Sequence, residues 1–380
     1  MLPRLERNCD DVFHRRPVIS LPPFSPHTLA PKLLAWYDRH GRDLPWRTPK
    51  PDPYCVLVSE IMLQQTTVAT VIPYFLRWMH TWPTLNALAK TNIEDVLHAW
   101  QGLGYYRRAR NLHLAAHHIV HKHQGVFPHT EKDLLSLPGV GPYTARAIMA
   151  IAFNQRVVTI DGNIARVFAR ILEKPGVKET LLRTLHTDIT CFLPSTRIGD
   201  YTQALMDLGA LICRPQAPRC EMCPLQGICQ SAQHTTTHLF PEKKEKRIKP
   251  TLFGHFFFVL SEKAGEIGVL LEKEEQSLLK GLWRPLTSLW MDEDREPTFP
   301  YPASWQPVGD IKHVFTHFDL WLNLWCGVVT PTSAPTASWV RFEDLDQYPM
   351  SALAKKSFRC LEKHPSSFLV QRPCKKAHSA

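Results

Sequence analysis

The sequence predicts an all-α domain followed by an α+β domain, and three observations carry that prediction. From His27 to about Thr190 apolar residues recur three and four apart. After Pro250 that period gives way to short runs rich in aromatic and β-branched residues. Between the two lies a charged stretch near 241–250 that ends in proline. The length of 380 residues suits two domains, and 44% hydrophobic with 21% charged residues is the balance of a folded chain rather than a disordered one.

Taken in order, residues 1–26 carry Arg and Pro without periodicity and read as a flexible leader. The charged start, Met1 to Arg16, has no apolar segment of an export signal. No run of eighteen apolar residues follows, so no membrane partner is expected. Helical spacing covers Leu29–Tyr37, Val56–Leu76, Asp95–Trp100, Leu112–Val120, Thr144–Phe153, Ile164–Leu172 and Tyr201–Ile212. Pro51-Asp52-Pro53, Trp82-Pro83-Thr84, Gly102–Gly104, Gly139–Gly141 and Pro175-Gly176 punctuate them. A first domain at 27–240, a basic linker at 241–250, a second domain at 251–368 and a basic tail at 369–380 are therefore expected. In the second domain Leu252–Leu260, Ile267–Leu271 and His317–Val329 read as strands, and Asp344–Leu361 as a helix.

The formal net charge is +10. Much of the excess sits in two segments: Glu242–Lys249 has five basic and two acidic residues, and Glu362–Ala380 four basic and one acidic. Solvated flexible segments explain these as well as a polyanionic partner does, so charge alone favours nucleic acid only mildly. Of ten cysteines, four crowd into Cys213-x6-Cys220-x2-Cys223-x5-Cys229. The other six are scattered, which is not a disulfide framework and points to an intracellular reducing compartment. Four thiolates at this spacing can enclose one tetrahedral zinc or one cubane cluster, and chemistry alone leaves the two even.

Leu137-Pro138-Gly139-Val140-Gly141-Pro142 joins two helical patterns. Glycines let a backbone come close to another backbone, proline suits the first helical position, and N–H groups at a helix start suit a phosphate. Asp161, in Thr159-Ile160-Asp161-Gly162-Asn163-Ile164, fits an N-cap; it also stands at the edge of a buried segment. Glu60 lies inside Val56-Leu57-Val58-Ser59-Glu60-Ile61-Met62-Leu63. A carboxyl in so apolar a run tends to hold its proton and can serve as a general acid. Its other reading is a Glu on a polar helix side, which Gln64 and Gln65 show to exist. Two such carboxyls suit glycosidic chemistry, one protonating a leaving group and one supporting a cationic sugar.

The segments LPGVGPYTARAI (Leu137–Ile148) and TIDGNIARV (Thr159–Val167), with the four-cysteine loop, resemble the helix–hairpin–helix DNA glycosylase superfamily. Within it, Leu44–Phe75 and GLGYYRRARNLH (Gly102–His113) are similar to the MutY-type adenine DNA glycosylases. The resemblance spans about 28–240. It implies a multi-domain protein: an all-α helix–hairpin–helix glycosylase domain with an iron–sulfur loop, followed by an α+β Nudix-like domain. It implies excision of adenine mispaired with 8-oxoguanine or guanine in duplex DNA, a base-excision repair step that prevents G·C to T·A transversions. Glu60 would protonate the base and Asp161 would support the sugar cation, with Tyr143 and Asn163 assisting. Arg42, Leu44, Trp46, Arg47 and Asp207 would line the adenine pocket. Gln65, Thr66, Leu103, Tyr105, Gly139, Val140 and Gly141 would contact DNA and the mispair. Cys213, Cys220, Cys223 and Cys229 would hold a [4Fe–4S] cluster, which moves the metal reading toward iron.

Endonuclease III-type relatives carry a lysine at the hairpin position that Tyr143 occupies here. A phenol forms no imine with the sugar, so a monofunctional glycosylase with weak or no strand-cleaving activity is expected. In the second domain Phe315-Thr316-His317 would read 8-oxoguanine, with Thr316 where the family commonly has serine. The Arg-Glu pair there, Arg295-Glu296, is followed by Pro297, and no R-E-x-x-E-E run exists to hold magnesium. Binding without nucleotide hydrolysis is the expectation. A cytoplasmic or nucleoid-associated monomer follows, with protein partners left open. The rivals are an endonuclease III-like glycosylase for oxidised pyrimidines and a noncatalytic iron–sulfur DNA-binding protein.

Overall fold

A computed structural model describes residues 26–244, 248–263, 265–275, 279–329 and 337–363. The leader to residue 25, part of the basic linker and the tail lie outside the described residues. The chain divides into two compact units, one of residues up to Asp43 with Ala145–Lys244, the other of Leu44–Thr144 with the residues from Glu245 on.

The first unit is helical. Leu29–His40, Gly162–Ile171, Lys178–Thr190 and Ile198–Asp207 surround one core built on Leu33, Trp36, Phe168, Leu185, Phe192 and Tyr201. Gly162–Ile171 is its central helix, with every residue from Ile164 to Ile171 buried. A helix buried all round is ordinarily apolar all round; this one carries Arg166 and Arg170 inside. Ile198–Asp207 continues as a π-type turn over Leu208–Ile212, and the four-cysteine loop follows in short turns at Cys220–Met222 and Gln226–Ile228.

In the second unit, Pro53–Leu63, Val68–Thr81, Ile93–Ala99 and Arg107–Lys122 are the principal helices. Side chains of Asp52, Thr67 and Asn92 accept backbone N–H bonds at three of their starts, each satisfying an otherwise orphaned donor. Trp78 is packed edge-on against Trp82 and Trp100 at centroid distances of 4.6 and 5.5 Å. Its indole N–H donates to the Tyr54 hydroxyl at 3.2 Å, so the buried aromatic cluster leaves that donor satisfied.

Six strands complete the unit: β1 (Thr251–Lys263), β2 (Glu266–Lys273), β3 (Trp283–Thr287), β4 (Gln306–Val314), β5 (Asp319–Val328) and β6 (Ala337–Arg341). Their order is β4-β5-β1-β3-β2-β6, with β1 and β5 parallel and the other pairs antiparallel. Alternation along β1 sends Phe256 and Phe258 to one face and Phe257 and Val259 to the other, and both faces are covered. Helix Ala352–Lys363 covers the first, where Phe358 meets Phe258 edge-on at 5.1 Å. The sheet region is fastened to the helices of its own unit: the Tyr106 hydroxyl donates to Met350 O at 3.2 Å, His98 bonds Asp346 O, and Lys273 pairs with Glu94.

The helical run expected over Val56–Leu76 is two helices, broken at Gln64–Thr67 where Gln65 has φ 58° and Thr67 starts a new cap. The helix expected over Asp344–Leu361 is a short 3-10 turn, Phe342–Gln347, and a separate helix, Ala352–Lys363, with Pro349 between them. Proline removes the donor and disfavours helical backbone before it. Strands β3, β4 and β6 were not anticipated; they are short or carry Pro285 and Gly309, which mask the alternating pattern.

Candidate active site

Asp161 is the N-cap of Gly162–Ile171. Its Oδ1 accepts from the Ile164 N–H at 2.7 Å and its Oδ2 from the Asn163 side-chain amide at 2.9 Å. Capping is therefore real, and it also fixes the carboxylate in direction. Desolvation raises the Asp161 pKa above the ordinary carboxylate value, while the bonds from Ile164 and Asn163 pull it back down. Behind it stands Arg166, which donates to Asn163 Oδ1 at 2.8 Å, to Gly209 O at 2.8 Å and to Cys213 O at 2.8 Å. A guanidinium has no acceptor, so the Asn163 oxygen must face it and the amide N–H must face Asp161. A Cβ added at Gly209 would lie 2.6 Å from Asn163 Cβ; only glycine lets the π-type turn come this close. A continuous hydrogen-bonded path thus runs from the cysteine loop to the carboxylate.

Arg170, one turn further along, is 2% exposed. It donates to Cys213 Sγ at 3.3 Å, Arg214 O at 2.7 Å, Pro215 O at 3.2 Å and Phe240 O at 2.9 Å. Burial pushes Cys223 up to about 12, with Cys213, Cys229 and Cys220 adding to the rise, and pushes Cys229 up to about 11. Among the described residues no three His, Cys, Asp or Glu side chains stand as a single-ion site. Asp207 is fully buried, and its two oxygens accept from the Arg42 backbone N–H at 2.8 Å and guanidinium at 2.7 Å.

Glu60 lies in the second unit, in Pro53–Leu63, and is 8% exposed. Leu44 and Trp46 are buried there too, Trp46 edge-on to Phe75 at 5.3 Å. The helix ends in the Gln64–Thr67 break, which leaves Gln65 exposed. Gly102–Tyr105 forms the companion loop, with Tyr105 exposed at φ 48° and Leu103 buried. Left-handed backbone at two non-glycine residues needs a reason, and Arg108 supplies it. Its guanidinium donates to Ile61 O, Met62 O and Gln64 O at 2.9, 2.9 and 2.6 Å, and to Thr66 Oγ1 at 3.2 Å. It also donates to Leu103 O and Gly104 O at 2.9 and 3.1 Å. One buried cation thereby holds both exposed loops.

The hairpin turns at Gly139, φ 79°, where a Cβ would meet Asn111 Cβ at 2.6 Å. Gly139 and Gly141 are exposed and Val140 buried. Gly141 has open space around it and no positive φ, so only Gly139 is required sterically. Tyr143 is half-buried in the first turn of Pro142–Ile151. In the sheet region, Phe315 packs on Phe318 and His313, both at 4.6 Å, while Thr316 and His317 are exposed. The Thr316 and Tyr105 hydroxyls bond to each other, which brings the Phe315–His317 loop to the Gly102–Tyr105 loop. Arg295, of the Arg295-Glu296 pair, bonds Glu293 and offers its carbonyl to His255 at 2.8 Å.

Sequence reasoning missed Arg108, Arg166 and Arg170. The available signal was phase: each is a cation on the apolar side of its helix, and Arg166 and Arg170 are four apart on one buried face.

The HhH-GPD family, described as HhH-GPD superfamily base excision DNA repair protein, matches residues 58–185, and the NUDIX domain family matches 256–359. The chain is 33% identical over 400 residues to the adenine DNA glycosylase of Mus musculus, covering 87% of this chain and 77% of that protein. It is 44% identical over 201 residues to the adenine DNA glycosylase of Mycobacterium tuberculosis (strain ATCC 25618 / H37Rv), covering 52% of this chain and 66% of that one. A solved thermostable thymine-DNA glycosylase matches with TM-score 0.50 and 28% identity, covering 55% of this chain and 96% of its own.

Lysine has three donors at one point and cannot reach the six acceptors of Arg108. In Arg108→Lys, amide hydrogen exchange at Gln64–Thr66 and Leu103–Tyr105 should speed up by the equivalent of about 1–3 kcal/mol of local stability. Exchange as slow as in the wild type would contradict this role.

Proposed function

The chain belongs to the adenine DNA glycosylase family of the HhH-GPD superfamily, and from that premise we propose that it excises adenine mispaired with 8-oxoguanine or guanine in duplex DNA. The observation that carries the reading is a pair of carboxyls in unlike surroundings. Glu60 is buried in a predominantly apolar helix, and Asp161 is fixed by a helix N-terminus and an asparagine amide.

The adenine would first leave the base stack, since its glycosidic bond is out of reach inside the duplex. Glu60 would give a proton to the base at N7, turning it into a neutral leaving group as the glycosidic bond breaks. Asp161, ionised, would support the positive charge left on the sugar or trap it until water arrives. Its raised pKa reflects how little water surrounds it, and a poorly hydrated carboxylate stabilises a nearby cation more strongly. Asn163 positions that carboxylate and Tyr143 assists. Tyr143 supplies no amine, so the strand stays whole and an abasic site remains. Gln65, Thr66, Leu103 and Tyr105, with the Gly139–Gly141 hairpin, would grip the duplex, and Phe315–His317 would read the base opposite the adenine. Arg42, Leu44, Trp46, Arg47 and Asp207 would border the adenine.

Cys213, Cys220, Cys223 and Cys229 would hold a [4Fe–4S] cluster. The donor set fits by its chemistry: four cysteines share one short loop and raise the Cys223 thiol pKa together, and the buried Arg170 guanidinium beside Cys213 Sγ offsets the negative charge of four thiolates. When bound, the cluster supplies a rigid, charged brace to the loop whose Cys213 carbonyl is tied to Arg166.

Incubation with duplex carrying adenine opposite 8-oxoguanine, then hot alkali, should cleave the adenine strand, and omission of alkali should leave it whole. Duplex with an oxidised pyrimidine should stay intact. Glu60→Gln and Asp161→Asn should each slow single-turnover excision by about a hundredfold or more while mispair binding survives. An uncut mispair, or full activity in both variants, would remove the assignment. Purified protein should contain four irons per chain and absorb visible light, and Cys223→Ser should lose both; one zinc per chain would contradict the cluster.

A further inference from the structure

The Arg107–Lys122 helix and its cap carry five histidines within eleven residues: His113, His117, His118, His121 and His123. The proposed excision chemistry uses none of them. His117 and His121 are four apart, so they lie on one face one turn from each other. Their rings are nearly parallel, at 13°, with centroids 5.8 Å apart. His117 is half-buried and His121 exposed, so the pair opens to solvent.

His113 stands behind them. Its Nε2 lies 2.8 Å from Thr91 O. A carbonyl only accepts, so Nε2 carries the proton and Nδ1 carries the lone pair. His117 meets this ring edge-on at 4.6 Å. His113, tied to Thr91 O, packs edge-on behind the solvent-facing pair and so limits how the His117 ring can turn.

The helix has no acidic residue: its charged side chains are Arg107, Arg108, Arg110 and Lys122. Oxygen-seeking cations such as magnesium or calcium find no carboxylate on it. Paired imidazoles suit borderline divalent ions of the nickel, copper and zinc group. We propose that His117 and His121 form a two-imidazole chelate for one such transition-metal ion, oriented by His113 and completed by water. His118 pairs instead with His123, their rings 5.7 Å apart, and takes no part.

The test is equilibrium dialysis of the full-length, iron-replete protein against Ni2+, beside His121→Ala, His117→Ala and His118→Ala. His121 is exposed, so its variant folds even if substitution of half-buried His117 does not. Comparison among variants removes any contribution of the cysteine loop, which all share. The expected result is one Ni2+ bound per chain at about pH 7.5. Affinity should fall about tenfold or more in His121→Ala and in His117→Ala, and stay unchanged in His118→Ala. No binding by the wild type, or wild-type affinity in His121→Ala, overturns the proposal.

Discussion

A guanidinium taken out of water must find acceptors inside the protein, and irregular backbone has carbonyls in need of donors. The structure depends on that match at three places. Arg108 joins the two loops that present Gln65 and Tyr105; Arg166 joins Asn163 to the π-type turn and the cysteine loop; Arg170 gathers the loop from Cys213 to Phe240. Burial lowers the pKa of Arg108 to about 10 and that of Arg166 in the same direction, and both stay charged at neutral pH. A ladder of regular secondary structure could not expose residues with left-handed backbone, and unsupported loops would not hold them still. Buried arginines give precision to segments that are not helix or strand.

The same logic explains why one carboxylate carries two descriptions. Asp161 caps a helix, and a cap is a position at which a side-chain oxygen is fixed by backbone N–H groups. Desolvation pushes its proton affinity up, and two N–H bonds pull it down. The balance leaves a carboxylate that is oriented and poorly hydrated at once. Both properties favour stabilising a positive charge in front of it. A helix cap and an oriented, poorly hydrated carboxylate are consequences of one geometry here.

The sequence was informative where local pattern decides structure. Apolar spacing located the long helices, an aromatic run located β1, and the four-cysteine spacing and the glycine hairpin stood out unaided. It was silent where tertiary contacts decide. Val56–Leu76 keeps its apolar period through the break at Gln64–Thr67, because the break is held by Arg108 from another helix. β3 and β4 contain Pro285 and Gly309 and pair only because the sheet around them exists. Glu60 stood out as a charge inside an apolar run, and it is 8% exposed. Arg166 and Arg170 read as ordinary helix arginines until the buried face of Gly162–Ile171 is known.

The central claim is that a desolvated, ionised Asp161 supports the sugar cation. Single-turnover excision of adenine opposite 8-oxoguanine, followed as a function of pH, tests it most directly. The folded-state pKa is raised, so the active ionised form is lost as pH falls through a value above the ordinary 3.8 of an aspartate. Asn163→Ala removes a bond that stabilises the carboxylate and should move that acid limb to still higher pH. A rate that holds flat down to the ordinary aspartate range, or an acid limb unmoved by Asn163→Ala, would contradict the account.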